Sequence, residues 1–393
     1  MSQSTIHRVE FKTNVVHIND VKQRDLARAK HLVAGHQPHG PNAKKHQQPK
    51  QGGDEIPVMN NGVTYLASCG FGEPATNCSL LIDTGSSNTW VKKEKYKVTS
   101  TSKDTRKPFS ITYGLGSCSG SEYTDRLTLS QDLVIENQSI GVADKSDQMP
   151  NMDGILGVGP VALTKNTMAP DASNPNGIAT VMDNLKGQDK IKIECIGIGY
   201  TPTTKLNAAT GNLSFGGPDS TQCDGKLNYV PITSTYPASE YWGIDQSINY
   251  GNTEIMAKCA GISDTGTTLI LLPQNVYELY QQKTGAKVDQ TTGLLTVTQA
   301  QYEKMESLYF CVGGEKYEIT PNAQIWPRKE DSTLNIPSGE IALVVASIGD
   351  IKAGDGLCFI NGFSFLQRVY SVYDTTNARI GYAPTKYTHA TTN

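Results

Sequence analysis

Leu80-Leu81-Ile82-Asp83-Thr84-Gly85-Ser86-Ser87 and Ile262-Ser263-Asp264-Thr265-Gly266-Thr267-Thr268-Leu269-Ile270 are two versions of one pattern. In each, a largely apolar run leads into an acid, and a turn of small polar residues follows. One Asp-Thr-Gly tripeptide means little. Two with matched flanks place a pair of carboxylates face to face across a pseudo-twofold axis. Carboxylates that close cannot easily both ionise, so they share a proton and divide acid and base roles between them.

The rest of the chain suits that arrangement. It has 393 residues, 37% hydrophobic and 19% charged, enough for two cores and hence two lobes. Short runs of Val, Ile, Thr, Tyr and Phe broken by 37 glycines predict an all-β fold. A net charge of −3 gives no general attraction to nucleic acid or membrane. No apolar run reaches the ~18 residues of a membrane span. The start, Met1-Ser2-Gln3-Ser4, is polar and has no secretory apolar region.

The charge is unevenly placed. Residues 1–53 carry nine Lys/Arg and three acids, a net +6 against −9 for the remainder, and six of the seven histidines. A basic segment joined to an acidic body predicts an intramolecular partner. Val21, Leu26, Ala29 and Val33 fall near helical spacing, with Asp20 as a cap; residues 34–53 read as a linker. As pH falls through ~6.5 the histidines charge and make the segment more basic while the body is still acidic. Release in acid is therefore expected to follow protonation of the body's carboxylates, not of the histidines.

Eight cysteines show no metal-ligand spacing. Cys69 and Cys78 flank Gly72-Glu73-Pro74-Ala75; a hairpin there sets them opposite each other, either as a disulfide or as two small buried residues. Asn77-Cys78-Ser79, Asn137-Gln138-Ser139 and Asn212-Leu213-Ser214 permit glycosylation.

The chain resembles the pepsin family of aspartic endopeptidases over about residues 58–385. Thr84-Gly85-Ser86-Ser87-Asn88-Thr89-Trp90-Val91 and Glu122-Tyr123-Thr124-Asp125 are similar to the secreted enzymes of basidiomycete fungi, the polyporopepsin type. The resemblance implies a bilobal fold: a propeptide and linker over 1–53, an N-terminal lobe over 54–222 ending after Leu213-Ser214-Phe215-Gly216-Gly217, and a C-terminal lobe over 223–393. It implies an acid endopeptidase cutting between apolar residues, with Asp83 and Asp264 catalytic. Thr84 and Thr265 would brace the loops, Gly85 and Gly266 admit backbone amides, and Ser86 and Thr267 bond the aspartates. Ile111-Thr112-Tyr113-Gly114-Leu115-Gly116-Ser117 resembles the family's flap, with Tyr113 bonded to Trp90; Gly114, Leu115, Ile155 and Thr268 would contact substrate. No cofactor or metal is implied. The partners implied are polypeptides, the chain's own propeptide and pepstatin-type inhibitors. The enzyme would be a monomer, secreted or vacuolar, and resemblance to a secreted family implies that a leader is missing from this chain.

Asn361 and Ser263 stand where the family has apolar residues. Both are expected to be hydrogen-bonded to each other or to the Asp264 loop, since an unpaired buried amide is costly. One alternative is a weak or inactive pepsin-fold protein that binds peptides. Aspartyl-phosphate chemistry is a second; it needs a lysine after the aspartate or an acid two residues on, where Thr265 and Gly266 stand.

Overall fold

The computed structural model describes residues 6–14, 21–34, 64–114, 116–147, 149, 152–168, 177–202, 209–327, 336–351 and 355–391. The calls on Asp20, on Leu115 and on most of the linker lie outside these residues.

Two lobes of strands meet at the aspartate loops. In the first, β2 (Thr64–Phe71) and β3 (Thr76–Asp83) form a hairpin, and β3 runs parallel to β8 (Gly154–Gly157), which is antiparallel to β4 (Thr89–Lys92). The last four residues of β3 are all buried because β3 lies between β2 and β8 in mid-sheet. β5 (Lys103–Thr112), β6 (Ser117–Ser130) and β7 (Leu133–Asp147) complete the lobe. Two further strands, β9 (Cys195–Tyr200) and β10 (Ala209–Phe215), follow, and β11 (Asn228–Pro231) leads into the second lobe.

The second lobe repeats the motif. β12 (Gly243–Tyr250) and β13 (Thr253–Ser263) form a hairpin, β13 runs parallel to Ile360–Asn361, and β14 (Ile270–Leu272) is antiparallel to that strand. Along β12 the period-two alternation buries Ile244, Gln246, Ile248 and Tyr250. Gln246 thus occupies a position that the pattern reserves for an apolar residue.

The lobes share one sheet. The closing hairpin, Val369–Asp374 and Arg379–Pro384, pairs with β9. β1 (His7–Asn14), from the basic segment, is inserted between β10 and β2. Arg8 on β1 donates to both carboxylate oxygens of Asp219, at 2.6 and 3.0 Å, and holds that carboxyl below its usual range.

The structure decides between the two readings of Cys69 and Cys78 in favour of two small buried residues. Cys69 and Cys78 are register partners across β2 and β3, yet both thiols are free. Cys78 Sγ is turned toward the Lys95 carbonyl, 3.6 Å away. Burial pushes the two thiols up to about 12 and about 11. The disulfide joins Cys259 to Cys358, 99 residues apart. Backbone pairing of Cys358 N–H with the Ala260 carbonyl at 2.8 Å brings those two together, and no sequence spacing announces it.

A cross-link closing so long a loop restricts the unfolded chain strongly. Cys259→Ala/Cys358→Ala should lower unfolding free energy by about 3–5 kcal/mol. Urea denaturation checks this, and a loss below about 1 kcal/mol would show that the bridge adds little.

Candidate active site

The loops after β3 and β13 approach as near twofold-related copies. Thr84 N–H donates to Thr265 Oγ1 and Thr265 N–H to Thr84 Oγ1, both at 3.0 Å. Each hydroxyl then donates to the carbonyl preceding the other aspartate, Thr84 to Ser263 O at 3.2 Å and Thr265 to Ile82 O at 2.9 Å. Four buried bonds fix one loop against the other.

The carboxylates are treated alike by their own loops. Asp83 accepts from Gly85 N–H at 3.0 Å and Ser86 Oγ at 2.6 Å; Asp264 accepts from Gly266 N–H at 3.0 Å and Thr267 Oγ1 at 2.5 Å. Both side chains are fully buried. Glycine is required beside each. A Cβ on Gly85 would stand 2.5 Å from Asp264 Oδ1, and one on Gly266 2.7 Å from Asp83 Oδ1.

Between them lies a residue that the sequence did not single out. Arg28 Nη2 donates to Asp83 Oδ1 at 2.6 Å and Asp264 Oδ1 at 2.9 Å, and Nε to Asp264 Oδ2 at 2.6 Å. Arg28 belongs to α1 (Val21–Val33), which lies in the cleft between flap and aspartates. Its two bonds to Asp264 against one to Asp83 separate otherwise similar groups. Burial raises both, but at Asp264 the charge and bonds of Arg28 win and hold it below the usual range. At Asp83 burial, with the Asp264 charge, outweighs Arg28 and the carboxyl is raised.

The helix has further anchors. Asp25, fully buried, accepts the N–H groups of Thr268 at 3.0 Å and Leu269 at 2.8 Å, and burial pushes it up to about 6. Arg24 bonds Thr268 Oγ1. Lys22 Nζ donates to Gly293 O at 2.7 Å, and Tyr241 OH to Leu32 O at 3.1 Å. The helix was expected from apolar spacing, but its buried positions are Val21, Asp25, Arg28, Ala29 and Leu32; Leu26 and Val33 are half-buried. Charged residues enter the buried face because the cleft supplies partners. The one signal in the sequence is that Asp25, Arg28 and Leu32 share a face with Val21.

Over the helix, β5 and β6 form a hairpin tip. Trp90 Nε1 donates to Tyr113 OH at 2.9 Å, and Tyr113 N–H to Gly116 O at 2.7 Å. Gly114 has φ +80°, and a Cβ there would lie 2.8 Å from the Ala27 carbonyl. Backbone therefore rests on backbone. Ile155 is buried in a cluster with Trp90, Phe109, Ile111 and Tyr113, beneath the hairpin. Asn77 and Asn137 are exposed, whereas Asn212 is half-buried in mid-sheet between β9 and β1.

Ser263 and Asn361 are both buried, but the expected partners are corrected. Asn361 and Gln246 exchange two amide bonds at 2.8 and 3.1 Å, and Ser263 Oγ bonds Tyr382 OH. The two side chains do not bond each other directly because Asn361 pairs with Gln246 of β12 and Ser263 with Tyr382 of the closing hairpin.

The eukaryotic aspartyl protease family matches residues 64–385. The chain is 49% identical over 340 residues to polyporopepsin of Irpex lacteus, covering 86% of this chain and 99% of that one. It is 31% identical to cathepsin E of Aquarana catesbeiana over 358 residues, 86% of this chain and 83% of that one. The crystal structure of the Irpex lacteus aspartic proteinase superposes with a TM-score of 0.82 at 42% identity, covering 99% of this chain and 100% of that one.

The crossed threonines make a sharp test of the loop geometry. Thr84→Val keeps the shape but leaves Thr265 N–H and Ser263 O unpaired, so unfolding free energy should fall by about 2–4 kcal/mol. Thr84→Ser, which keeps the hydroxyl, should lose under about 1 kcal/mol. Equal losses in urea titrations would show that the hydroxyl bonds contribute little.

Proposed function

The chain belongs to the eukaryotic aspartyl protease family and is an aspartic endopeptidase, and from that premise we propose that Asp83 and Asp264 are its catalytic pair and that residues 1–53 hold them shut. The observation that carries this is the Arg28 guanidinium, bonded to both carboxylates inside the cleft. Polypeptides are its substrates, and pepstatin-type compounds inhibit the family. With Arg28 gone, a water takes its place. The charged carboxylate removes the water's proton while the protonated one polarises the scissile carbonyl. Tyr113, held by Trp90, and the Gly114 tip close over the peptide, and Ile155 backs an apolar pocket. Apolar residues are preferred around the cut bond, because the hairpin packs over an apolar cluster of Trp90, Phe109, Ile111 and Ile155 and an unpaired buried ammonium is costly.

The same reading takes 54–222 and 223–393 as the two lobes of a monomer acting outside the cell or in a vacuole. A disulfide and two exposed glycosylation sequons, at Asn77 and Asn137, support an oxidising route.

Asp83→Asn and Asp264→Asn should each leave under a few per cent of wild-type hydrolysis with the fold intact, since one carboxyl must be charged and one protonated. Arg28→Gln should hydrolyse casein at about pH 6, where the wild-type chain does not, because the dyad loses its clamp. Activity retained by either asparagine variant would overturn the catalytic assignment; a silent Arg28→Gln would overturn the autoinhibition.

The pH dependence contains opposing terms. Asp264 and Asp219 are depressed in the docked state, so their contribution to docking is present at neutral pH and lost as pH falls through those depressed values. Asp25 has the reverse sign. Docking raises it to about 6, so its contribution favours docking at low pH and is lost as pH rises through that value. Asp25→Asn is neutral throughout. It should therefore activate as fast as wild type at about pH 3.5 but more slowly at about pH 5. Faster activation at the higher pH, followed by gel mobility, would reverse the assigned sign.

A further inference from the structure

The two aspartate loops share the crossed threonine bonds and the glycine and hydroxyl bonds to each carboxylate, but the floors beneath them differ. Under Asp83 the register pair is Ile82 and Leu156, 1% and 0% exposed; under Asp264 it is Ser263 and Asn361, 1% and 0% exposed. One lobe therefore builds this motif from two apolar side chains, and the other from two polar ones. Burying them requires partners, and the lobe provides a polar partner for each. Gln246, itself fully buried, reaches across β13 to exchange its two bonds with Asn361. Tyr382, from the closing hairpin, bonds Ser263 Oγ. The first lobe shows that the motif folds without such a set, so folding alone does not require it.

The main chain of the two polar floor residues shows what the set controls. Asn361 O accepts the N–H of Asp264 itself at 3.1 Å. Ser263 O accepts Thr84 Oγ1 at 3.2 Å, one of the bonds that cross between loops. These two carbonyls thus belong to residues whose side chains are locked from behind. A polar network with every member paired rigidifies its surroundings more than interchangeable apolar contacts do.

We propose that Gln246, Asn361, Tyr382 and Ser263 are positioning residues for Asp264: they fix the height and tilt of its loop and so set how the two carboxylates share their proton. None of the four bonds either carboxylate, so none is a catalytic residue. The proposal rests on Asp264 being one of the catalytic pair; failure of that premise would show separately, as activity retained by Asp264→Asn.

The test uses the full-length chain activated by acid, with kcat, KM and the pH profile of kcat measured on one chromogenic peptide beside thermal melting. Asn361→Leu alone strands the Gln246 amide and should lower Tm. Gln246→Leu/Asn361→Leu gives the second lobe an apolar floor like the first and should regain Tm. Positioning predicts that kcat of this double variant stays roughly tenfold to a hundredfold low with KM within about twofold. Its acid limb should also move by roughly half a pH unit or more. Tyr382→Phe, which keeps the ring and deletes the hydroxyl that pairs with Ser263, should move the limb in the same direction, and carries the test if the double variant does not fold. Ser263→Thr should restore the profile that Ser263→Ala loses. A double variant and a Tyr382→Phe with wild-type kcat and limb would overturn the proposal and leave the network a purely structural one.

Discussion

Two carboxylates wholly removed from water and facing one another need a cation or a shared proton, and much else in this molecule answers that need. Each isolated charge would cost several kcal/mol on burial. Arg28 meets the cost by bridging both. It can do so only because α1 fits into the cleft, β1 ties the segment to the body, and glycines at 85 and 266 leave room for a guanidinium. The crossed threonines supply the other half of the constraint, holding the loops at a separation that one planar group can span. A lysine at position 28 would offer one ammonium where three directed bonds are now made.

The parts legible in the sequence are those whose chemistry repeats or is local. The loops at Asp83 and Asp264 repeat a tripeptide with its flanks, so their pairing could be read before any coordinate. The hairpin at Tyr113 and its contact with Trp90 were given by resemblance to known enzymes. The helix was visible from spacing, but its buried face was not, because Asp25 and Arg28 look like solvent-facing residues until the cleft supplies partners. Gln246 was hidden for the same reason. It interrupts an apolar alternation, and its reason is an asparagine 115 residues away. The cysteines stayed ambiguous through proximity: Cys69 and Cys78 are register partners, but opposition across a ladder does not turn two sulfurs toward each other.

The pseudo-twofold relation is most informative where it breaks. The offset that carries Asp83 onto Asp264 carries Cys78 onto Cys259, and the offset between the parallel partner strands carries Asp153 onto Cys358. In the first lobe Asp153 accepts Ser79 N–H at 2.9 Å and pairs with Lys95; in the second the same place holds a covalent bond. The second loop thus has a disulfide, a paired amide and a tyrosine behind it, while the first has apolar packing and a surface ion pair. Similar carboxylates stand on foundations of unequal stiffness.

β1 lies within the large sheet, between β10 and β2, and not at its margin. If the basic segment is detached, the sheet is left with a slot in its interior, about two interstrand spacings or ~10 Å wide, lined by unpaired amides and carbonyls on both sides. Such a slot is a template for one further strand. Detachment therefore does more than uncover the cleft. It exchanges one strand vacancy for another, and whichever extended peptide fills it first, from this chain or a neighbouring molecule, decides between a lasting enzyme and the start of an aggregate.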